Sequence, residues 1–157
     1  MFVMLMVVSI SLSSCSDDDD DNGGGSSSSL TFAGESVKVN EVEVEYYTVD
    51  KEFRVWVNDL STTSSAPYVY LIFDGDASNL KAGDVVFSSG DSFWQLTMTY
   101  KDLSYSYSSG TVIVKSIDAA SKKMTLTFDL KLERSNNGNV QSALQGDVSF
   151  SYTHVNE

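Results

Sequence analysis

Three carboxylates recur at every second position early in the folded part of the chain, where a pair could serve as general acid and base. Glu41, Glu43 and Glu45 alternate with apolar residues. In a β-strand, neighbouring members of this set stand about 6–7 Å apart, which overlaps the carboxylate spacing that glycosidases use. The same alternation is the usual pattern of a strand with one solvated face. We favour the second interpretation, so the sequence predicts no hydrolase site here.

Nucleophilic catalysis has few residues to draw on. His154 is the single histidine and lies three residues from the C-terminus, where chains commonly fray. The sequence holds no Gly-x-Ser-x-Gly elbow that could carry a nucleophilic serine. Cys15 is the single cysteine, which excludes a disulfide framework and a cysteine-based zinc site. The sequence therefore predicts a non-enzymatic protein without a cofactor.

A calcium loop is suggested by one acidic turn. Asp74, Asp76 and Ser78 place oxygen atoms at positions 1, 3 and 5 of such a loop. Position 6 is Asn79 rather than glycine, and position 12 is Val85 rather than glutamate. A plain acidic turn is the better interpretation, so no metal site is predicted, and these three residues are the weak calcium candidate.

Aromatic residues at positions expected to face solvent are the best candidates for ligand binding. Trp56 has the opposite strand parity from its apolar neighbours, and Tyr105 and Tyr107 stand among serines. Exposed rings stack on sugar faces or anchor protein partners. We therefore predict a site for a glycan or protein ligand built from Trp56, Tyr105 and Tyr107. The alternative is that a second sheet or a loop covers these rings.

The elements that position these residues are β-strands, because apolar and polar residues alternate with a period of two. The clearest strand runs from Met124 to Glu133, and the stretch from Gly146 to Thr153 repeats its pattern. A change of parity at Asn40-Glu41 predicts a β-bulge. We expect eight or nine strands at intervals of about ten residues. The segment from Asp76 to Lys81 is the best candidate for a single helical turn.

Strands at this spacing fit a β-sandwich or an up-and-down barrel. Residues 110–152 contain Gly-Thr-Val-Ile-Val-Lys, then Met-Thr-Leu-Thr-Phe-Asp-Leu-Lys-Leu, then Leu-Gln-Gly-Asp-Val-Ser-Phe-Ser-Tyr. This pattern resembles the closing three-strand meander of small calycin-like lipoproteins from gut Bacteroidetes. The resemblance implies an all-β fold, a single antiparallel meander that forms a β-sandwich or a calycin-like barrel. It implies no common activity.

The N-terminus is a short apolar run that leads to the single cysteine. Residues 1–12 are largely apolar and too few to span a bilayer comfortably, and the run ends in Leu12-Ser13-Ser14-Cys15. This arrangement resembles the signal peptide and lipobox of bacterial lipoproteins. The resemblance implies that residues 1–14 are a signal peptide that is removed. It also implies that the Cys15 thiol carries a diacylglyceryl group, which would attach the protein to a membrane through its acyl chains.

Five consecutive aspartates, residues 17–21, follow the lipobox. They resemble the surface-export signal of Bacteroidetes lipoproteins, which implies a location on the outer face of the outer membrane. The periplasmic face of that membrane is the alternative. Residues 22–29 are rich in Gly and Ser, so we interpret residues 15–29 as a flexible tether and residues 30–157 as the folded domain.

The formal net charge of −12 argues against nucleic acid as a ligand, because its phosphates need a basic surface. It also argues against adsorption to anionic lipid headgroups. The prediction is a lipid-anchored β domain at the cell surface, a non-enzymatic binding or accessory protein with a glycan or protein ligand. The alternatives are a calycin-like carrier of a small apolar ligand and a structural subunit of a surface assembly.

Overall fold

The structure is a computed structural model that describes residues 28–91 and 95–156. The predicted signal peptide, Cys15, the aspartate run and Trp94 lie outside the described residues. The described part has no helix that is long and apolar enough to cross a membrane.

The described residues form eleven β-strands and one short 3-10 helix, Leu60–Thr62, which lies between β4 and β5. The strands are β1 Ser29–Phe32, β2 Glu35–Val37, β3 Val42–Tyr47, β4 Glu52–Val57, β5 Tyr68–Asp74, β6 Val85–Phe87, β7 Leu96–Tyr100, β8 Leu103–Asp118, β9 Lys123–Arg134, β10 Asn137–Ser151 and β11 Thr153–Val155. The all-β prediction is confirmed. β1 begins one residue before the predicted start of the domain.

All eleven strands belong to one curled sheet. Its order is β11-β3-β4-β5-β7-β8-β9-β10-β1-β2, and β6 pairs with β8 beside this path. A single residue, Tyr152, separates β10 from β11 in the chain, yet β11 lies along β3 at the other end of the path. The chain therefore passes from β10, near one end of the path, to β11 at the other end, and the sheet has the form of a half-barrel. It is mixed rather than wholly antiparallel, because β11 runs parallel to β3.

The inward face of the sheet is packed with apolar side chains at alternate positions. In β9 every predicted inward residue is buried, from Met124 to Leu132. Phe53 lies fully buried, with its ring centroid 4.5 Å from that of Tyr46 and 4.9 Å from that of Phe73. Burial of each such side chain contributes roughly 1.5–3 kcal/mol. Aromatic side chains thus occupy the interior, and surfaces for ligands lie on the outer face and at the rim.

The predicted β-bulge at Asn40-Glu41 is wrong. β2 ends at Val37 and β3 begins at Val42, so residues 38–41 are a connection outside both strands. The parity changes because the chain leaves one strand and enters another. Between Asp76 and Lys81 the chain does form a turn, in which the amides of Asn79 and Leu80 donate to the carbonyl of Asp76.

Candidate functional site

Trp56 points to the outer face of the sheet, as its parity predicts. Its strand neighbours Val55 and Val57 are fully buried on the inner face, whereas Trp56 is half-buried. Trp56 is in register with Tyr70 of β5. The two rings are stacked, with their centroids 5.3 Å apart and their planes at 27°. Together they form a half-exposed flat surface, which we call the aromatic platform.

A cleft of about 260 Å³ lies beside the aromatic platform. It is lined by Glu41, Glu43, Trp56, Asn58, Asp59, Leu60 and Tyr68. The three carboxylates are exposed, and Leu60 adds an apolar side chain that is 57 % exposed. The cleft therefore combines an aromatic wall with hydrogen-bond acceptors, the usual composition of a site for a small polar ligand.

Asn58 fixes the backbone around this cleft. It adopts a φ of 61°, a left-handed conformation that asparagine tolerates better than most residues. Its buried side-chain amide donates to the carbonyls of Pro67 at 2.6 Å and Lys38 at 3.2 Å. Its side-chain oxygen accepts from the amide of Asn40 at 2.7 Å. One side chain thus holds three segments together, so the shape of the cleft is set before any ligand binds.

Next to the aromatic platform, Arg54 takes part in a closed network of hydrogen bonds. Its guanidinium lies 4.1 Å from the centroid of the Tyr47 ring, and its Nε donates to Glu52 at 2.6 Å. The hydroxyl of Tyr47 donates in turn to Glu45 at 2.7 Å. The hydrogen bond to Glu52 is the first cause of the raised pKa of Arg54. This cation is therefore neutralised by its neighbours within the protein.

The tyrosines at the site stay neutral at physiological pH. Burial raises the pKa of Tyr70, and the guanidinium of Arg54 partly opposes that rise. Burial also raises the pKa of Tyr68, to which the negative charge of Asp59 adds. A neutral phenol can both donate and accept a hydrogen bond, so each ring supplies a polar handle as well as a flat face.

The structure does not bring Tyr105 and Tyr107 together with Trp56, which points to the outer face of β4. Both tyrosines lie on the inner face of β8 and pack against the core. Tyr105 meets the ring of Phe32 edge-on at 5.0 Å, and Tyr107 meets Phe87 edge-on at 5.0 Å. The serines beside them occupy the outer face, because burial of a ring releases far more apolar area from water than burial of a serine.

Tyr68 and Tyr70 also belong to the site, although the sequence alone does not predict them. The stretch from Tyr68 to Phe73 is apolar at nearly every position, so its alternation does not show which side chains face outward. What places Tyr70 beside Trp56 is the register of β4 against β5. A signal was present in the sequence, since the aliphatic residues Val69 and Leu71 alternate with the two tyrosines.

The candidate glutamates have separate surroundings. Glu41 and Glu43 line the cleft, and Glu43 is in register with Trp56. Glu45 accepts a hydrogen bond from the hydroxyl of Tyr47 and so belongs to the network of Arg54. Glu41 and Glu43 are thus the two of the three that are placed to meet a ligand.

The predicted calcium candidate forms a hydrogen-bonded acidic turn. The Asp76 carboxylate accepts from the amide of Ser78 at 3.0 Å and from its hydroxyl at 2.7 Å. The hydroxyl of Ser78 is the first cause of the lowered pKa of Asp76. Lys51 lies 3.5 Å from the other carboxylate oxygen, and Asp74 ends β5 in register with Glu52. No group of three or more metal-ligating side chains occurs among the residues described.

The C-terminal segment is held in place, so the expected fraying at His154 is wrong. β11 pairs with β3, and His154 lies in register with Tyr46. The Thr48 amide donates to the carbonyl of Val155 at 3.1 Å. The parallel pairing fixes the backbone of His154, whose ring stacks on Tyr152 with the planes at 10°.

Comparisons with family models, with curated proteins and with solved structures found no match to this chain. The function is therefore inferred from the geometry of the outer face and from the N-terminal sequence.

Proposed function

We propose that this protein is a lipid-anchored, non-enzymatic domain at the cell surface that binds a glycan on the aromatic platform. The observation that carries the proposal is the stacked pair of Trp56 and Tyr70 beside a cleft edged by Glu43 and Asp59. The rings lie on a rigid sheet, so little side-chain freedom is lost when a ligand binds.

A sugar ring suits both parts of this surface. Its C–H face is apolar and packs on a flat aromatic ring, while its hydroxyls donate to carboxylates in charge-assisted hydrogen bonds. The cleft of about 260 Å³ has room for one or two sugar rings rather than for a protein loop. A stable protein interface buries about 800 Å² on each partner, which this cleft alone does not offer.

The charge near the platform favours an uncharged glycan. Glu41, Glu43 and Asp59 line the cleft, and the chain after the aspartate run has 17 acidic and 10 basic residues. An anionic polysaccharide would meet repulsion at short range and a negative domain at long range. A neutral polysaccharide meets neither.

The two alternative functions have less support. A carrier of an apolar ligand needs an interior cavity, and four fully buried phenylalanines occupy the interior: Phe53, Phe73, Phe87 and Phe128. A structural subunit joined by strand pairing needs a free sheet edge of useful length. β2 lies at the end of the sheet path, and it has only three residues.

The anchor is proposed from the sequence. Cys15 lies 14 residues before the start of β1 at Ser29. A flexible tether of that length spans roughly 20 Å. The acyl chains on Cys15 would therefore hold the domain close to the outer membrane, with the outer face of β4 and β5 free to meet extracellular polysaccharide.

Replacement of Trp56 by alanine is expected to weaken glycan binding by about tenfold or more, because central aromatic anchors dominate such interfaces. Binding of every variant is measured by isothermal titration calorimetry against a panel of neutral polysaccharides, because this readout does not depend on the tryptophan that is replaced.

Val49→Ala is the matched control for this experiment. Val49 is 69 % exposed in the turn between β3 and β4 and takes no part in the cleft. This variant should bind as the parent does. If Trp56→Ala binds as tightly as Val49→Ala, or if no polysaccharide binds the parent protein, glycan binding at the platform is refuted.

The lipid anchor has a separate test. Mass spectrometry of the native protein is expected to find Cys15 as an acylated N-terminus, without residues 1–14. The Cys15→Ala protein should no longer be found in the membrane fraction. It lacks the acyl chains, whose burial stabilises attachment by about 0.8 kcal/mol for each methylene. An unmodified thiol on a chain that retains Met1 would contradict the anchor and the location together.

A further inference from the structure

A second cleft lies where β11 runs beside β3, at the end of the sheet path. Its volume is about 290 Å³, and it shares no lining residue with the cleft beside the aromatic platform. It is lined by Tyr46, Thr48, Lys51, Asp76, Ala77, Ser78, Ala119, Tyr152 and His154. We call it the end cleft.

Three aromatic rings form one side of the end cleft. The rings of Tyr152 and His154 are nearly parallel, with centroids 5.8 Å apart. Tyr46 meets both edge-on, with centroids 5.4 Å from His154 and 6.0 Å from Tyr152. His154 is exposed while both tyrosines are almost fully buried. A ligand would therefore find a flat ring at the mouth and phenol groups behind it.

The hydroxyl of Tyr152 is buried and has no hydrogen-bond partner in the described part of the chain. The residue itself is only 2 % exposed. A buried polar atom without a partner is unfavourable and uncommon in folded proteins. Burial raises the pKa of this phenol, so it remains a neutral donor at physiological pH. Tyr152, a lining residue of the end cleft, thus carries one unused hydrogen-bond donor beneath the surface of the cleft.

The other polar groups of the end cleft show what kind of acceptor is missing. The hydroxyl of Tyr46 accepts from the amide of Ala77 at 3.4 Å, and an accepting hydroxyl still carries a proton to donate. The charges of Lys51 and Asp76 compensate each other at 3.5 Å. Two hydrogen bonds from Ser78 also occupy Asp76. Among the described lining residues, the hydroxyl of Tyr152 is thus the donor without a partner, and the lysine and the aspartate are paired with each other.

We propose that the end cleft binds an uncharged amide or acetamido group carried on a body the size of one sugar ring. The carbonyl oxygen accepts the hydroxyl proton of Tyr152, and the body packs on the exposed ring of His154. This chemistry is found in N-acetylated sugars and in peptide amides. The proposal concerns a site separate from the aromatic platform and goes beyond the glycan binding proposed there.

The probe is N-acetylglucosamine, and its binding is monitored by the amide NMR spectrum of the ¹⁵N-labelled protein. Shift changes are expected in residues 46–51, 76–78 and 152–154, and not at residues 56 and 70. Glucose has the same ring without the acetamido group and should not produce them. N-acetylalanine amide has the amide without the sugar ring. Tighter binding of N-acetylglucosamine would indicate an N-acetylated sugar as the ligand, and tighter binding of N-acetylalanine amide would indicate a peptide amide. Equal binding of glucose, or absence of shifts with both amide probes, overturns the proposal.

Tyr152→Phe removes only the hydroxyl and should lower the affinity of the amide probe by about tenfold, the value of one buried hydrogen bond to a ligand. Its denaturation midpoint should not fall, because the hydroxyl has no partner to lose. Tyr107→Phe is the matched control, since its hydroxyl donates to the carbonyl of Gly110 outside the cleft. A lowered midpoint for Tyr152→Phe, or an affinity equal to that of the control, contradicts the assignment.

This site and the platform can fail independently. Trp56→Ala should leave binding of the amide probe unchanged, and Tyr152→Phe should leave polysaccharide binding at the platform unchanged. If each substitution abolished both kinds of binding, the end cleft would not be a separate site.

Discussion

Replacement of Gly146 by alanine is expected to lower the free energy of unfolding by about 3 kcal/mol. Gly146 lies in β10 with a φ of 126°, a backbone conformation that L-residues rarely adopt. A Cβ atom there would collide with the carbonyl oxygen of Ser29 in β1. The backbone strain costs about 1–2 kcal/mol and the overpacking adds about 1–3 kcal/mol.

Gly34→Ala separates these two causes. Gly34 also has a positive φ, of 83°, but a Cβ atom there would meet nothing within 4 Å. This control should therefore lose only the strain, about 1–2 kcal/mol. Both variants are measured by urea denaturation of the folded domain. Equal losses would show that β1 does not lie against Gly146, and the attachment point of the tether would then be placed wrongly.

Replacement of Asn58 by alanine is expected to lower the free energy of unfolding by about 3 kcal/mol and to weaken glycan binding. The variant loses three hydrogen bonds, of which the one to the carbonyl of Pro67 is buried and the other two are part-buried, at about 1 kcal/mol for each. Alanine also tolerates the φ of 61° less well than asparagine. Because Asn58 connects the segments around the cleft, its loss should affect both stability and affinity.

Asn58→Asp is the matched variant for this test. It keeps the oxygen that accepts from Asn40 and loses the donors to Pro67 and Lys38. Because the aspartate carboxylate still accepts from Asn40, this variant loses fewer hydrogen bonds than Asn58→Ala. The buried charge and the two lost donors should still destabilise the fold. Thermal denaturation at matched pH compares the three proteins. Wild-type stability in both variants would contradict the role given to this amide.

The all-β class and the core positions of the longer strands were predictable because their alternation runs far enough to exclude a helix. β9 shows this best, with inward residues at every second position from Met124 to Leu132. The three-residue strands β2 and β11 carry too little alternation to be recognised. Their pairing depends on distant partners, and the parallel pairing of β11 with β3 has no local signal at all.

The candidate site was only half predictable for a similar reason. Trp56 has buried neighbours on both sides in β4, so its outward direction follows from parity alone. Tyr105 and Tyr107 alternate with serines, and either set could have faced inward. The stacking of Trp56 on Tyr70 depends on strand register, which a single sequence does not specify. The missing hydrogen-bond partner of the Tyr152 hydroxyl could not be predicted from the sequence, because it depends on which groups surround the hydroxyl in the folded core.

The most direct test of glycan binding at the platform is chemical-shift mapping with an oligosaccharide from the neutral polysaccharide that binds best. The indole N–H of Trp56 and the amides of residues 41–43, 59–60 and 68–70 should show the largest shifts. Residues of β9 should be unaffected. Shifts confined to another face of the sheet, or no shifts with any neutral glycan, would contradict binding at Trp56 and Tyr70.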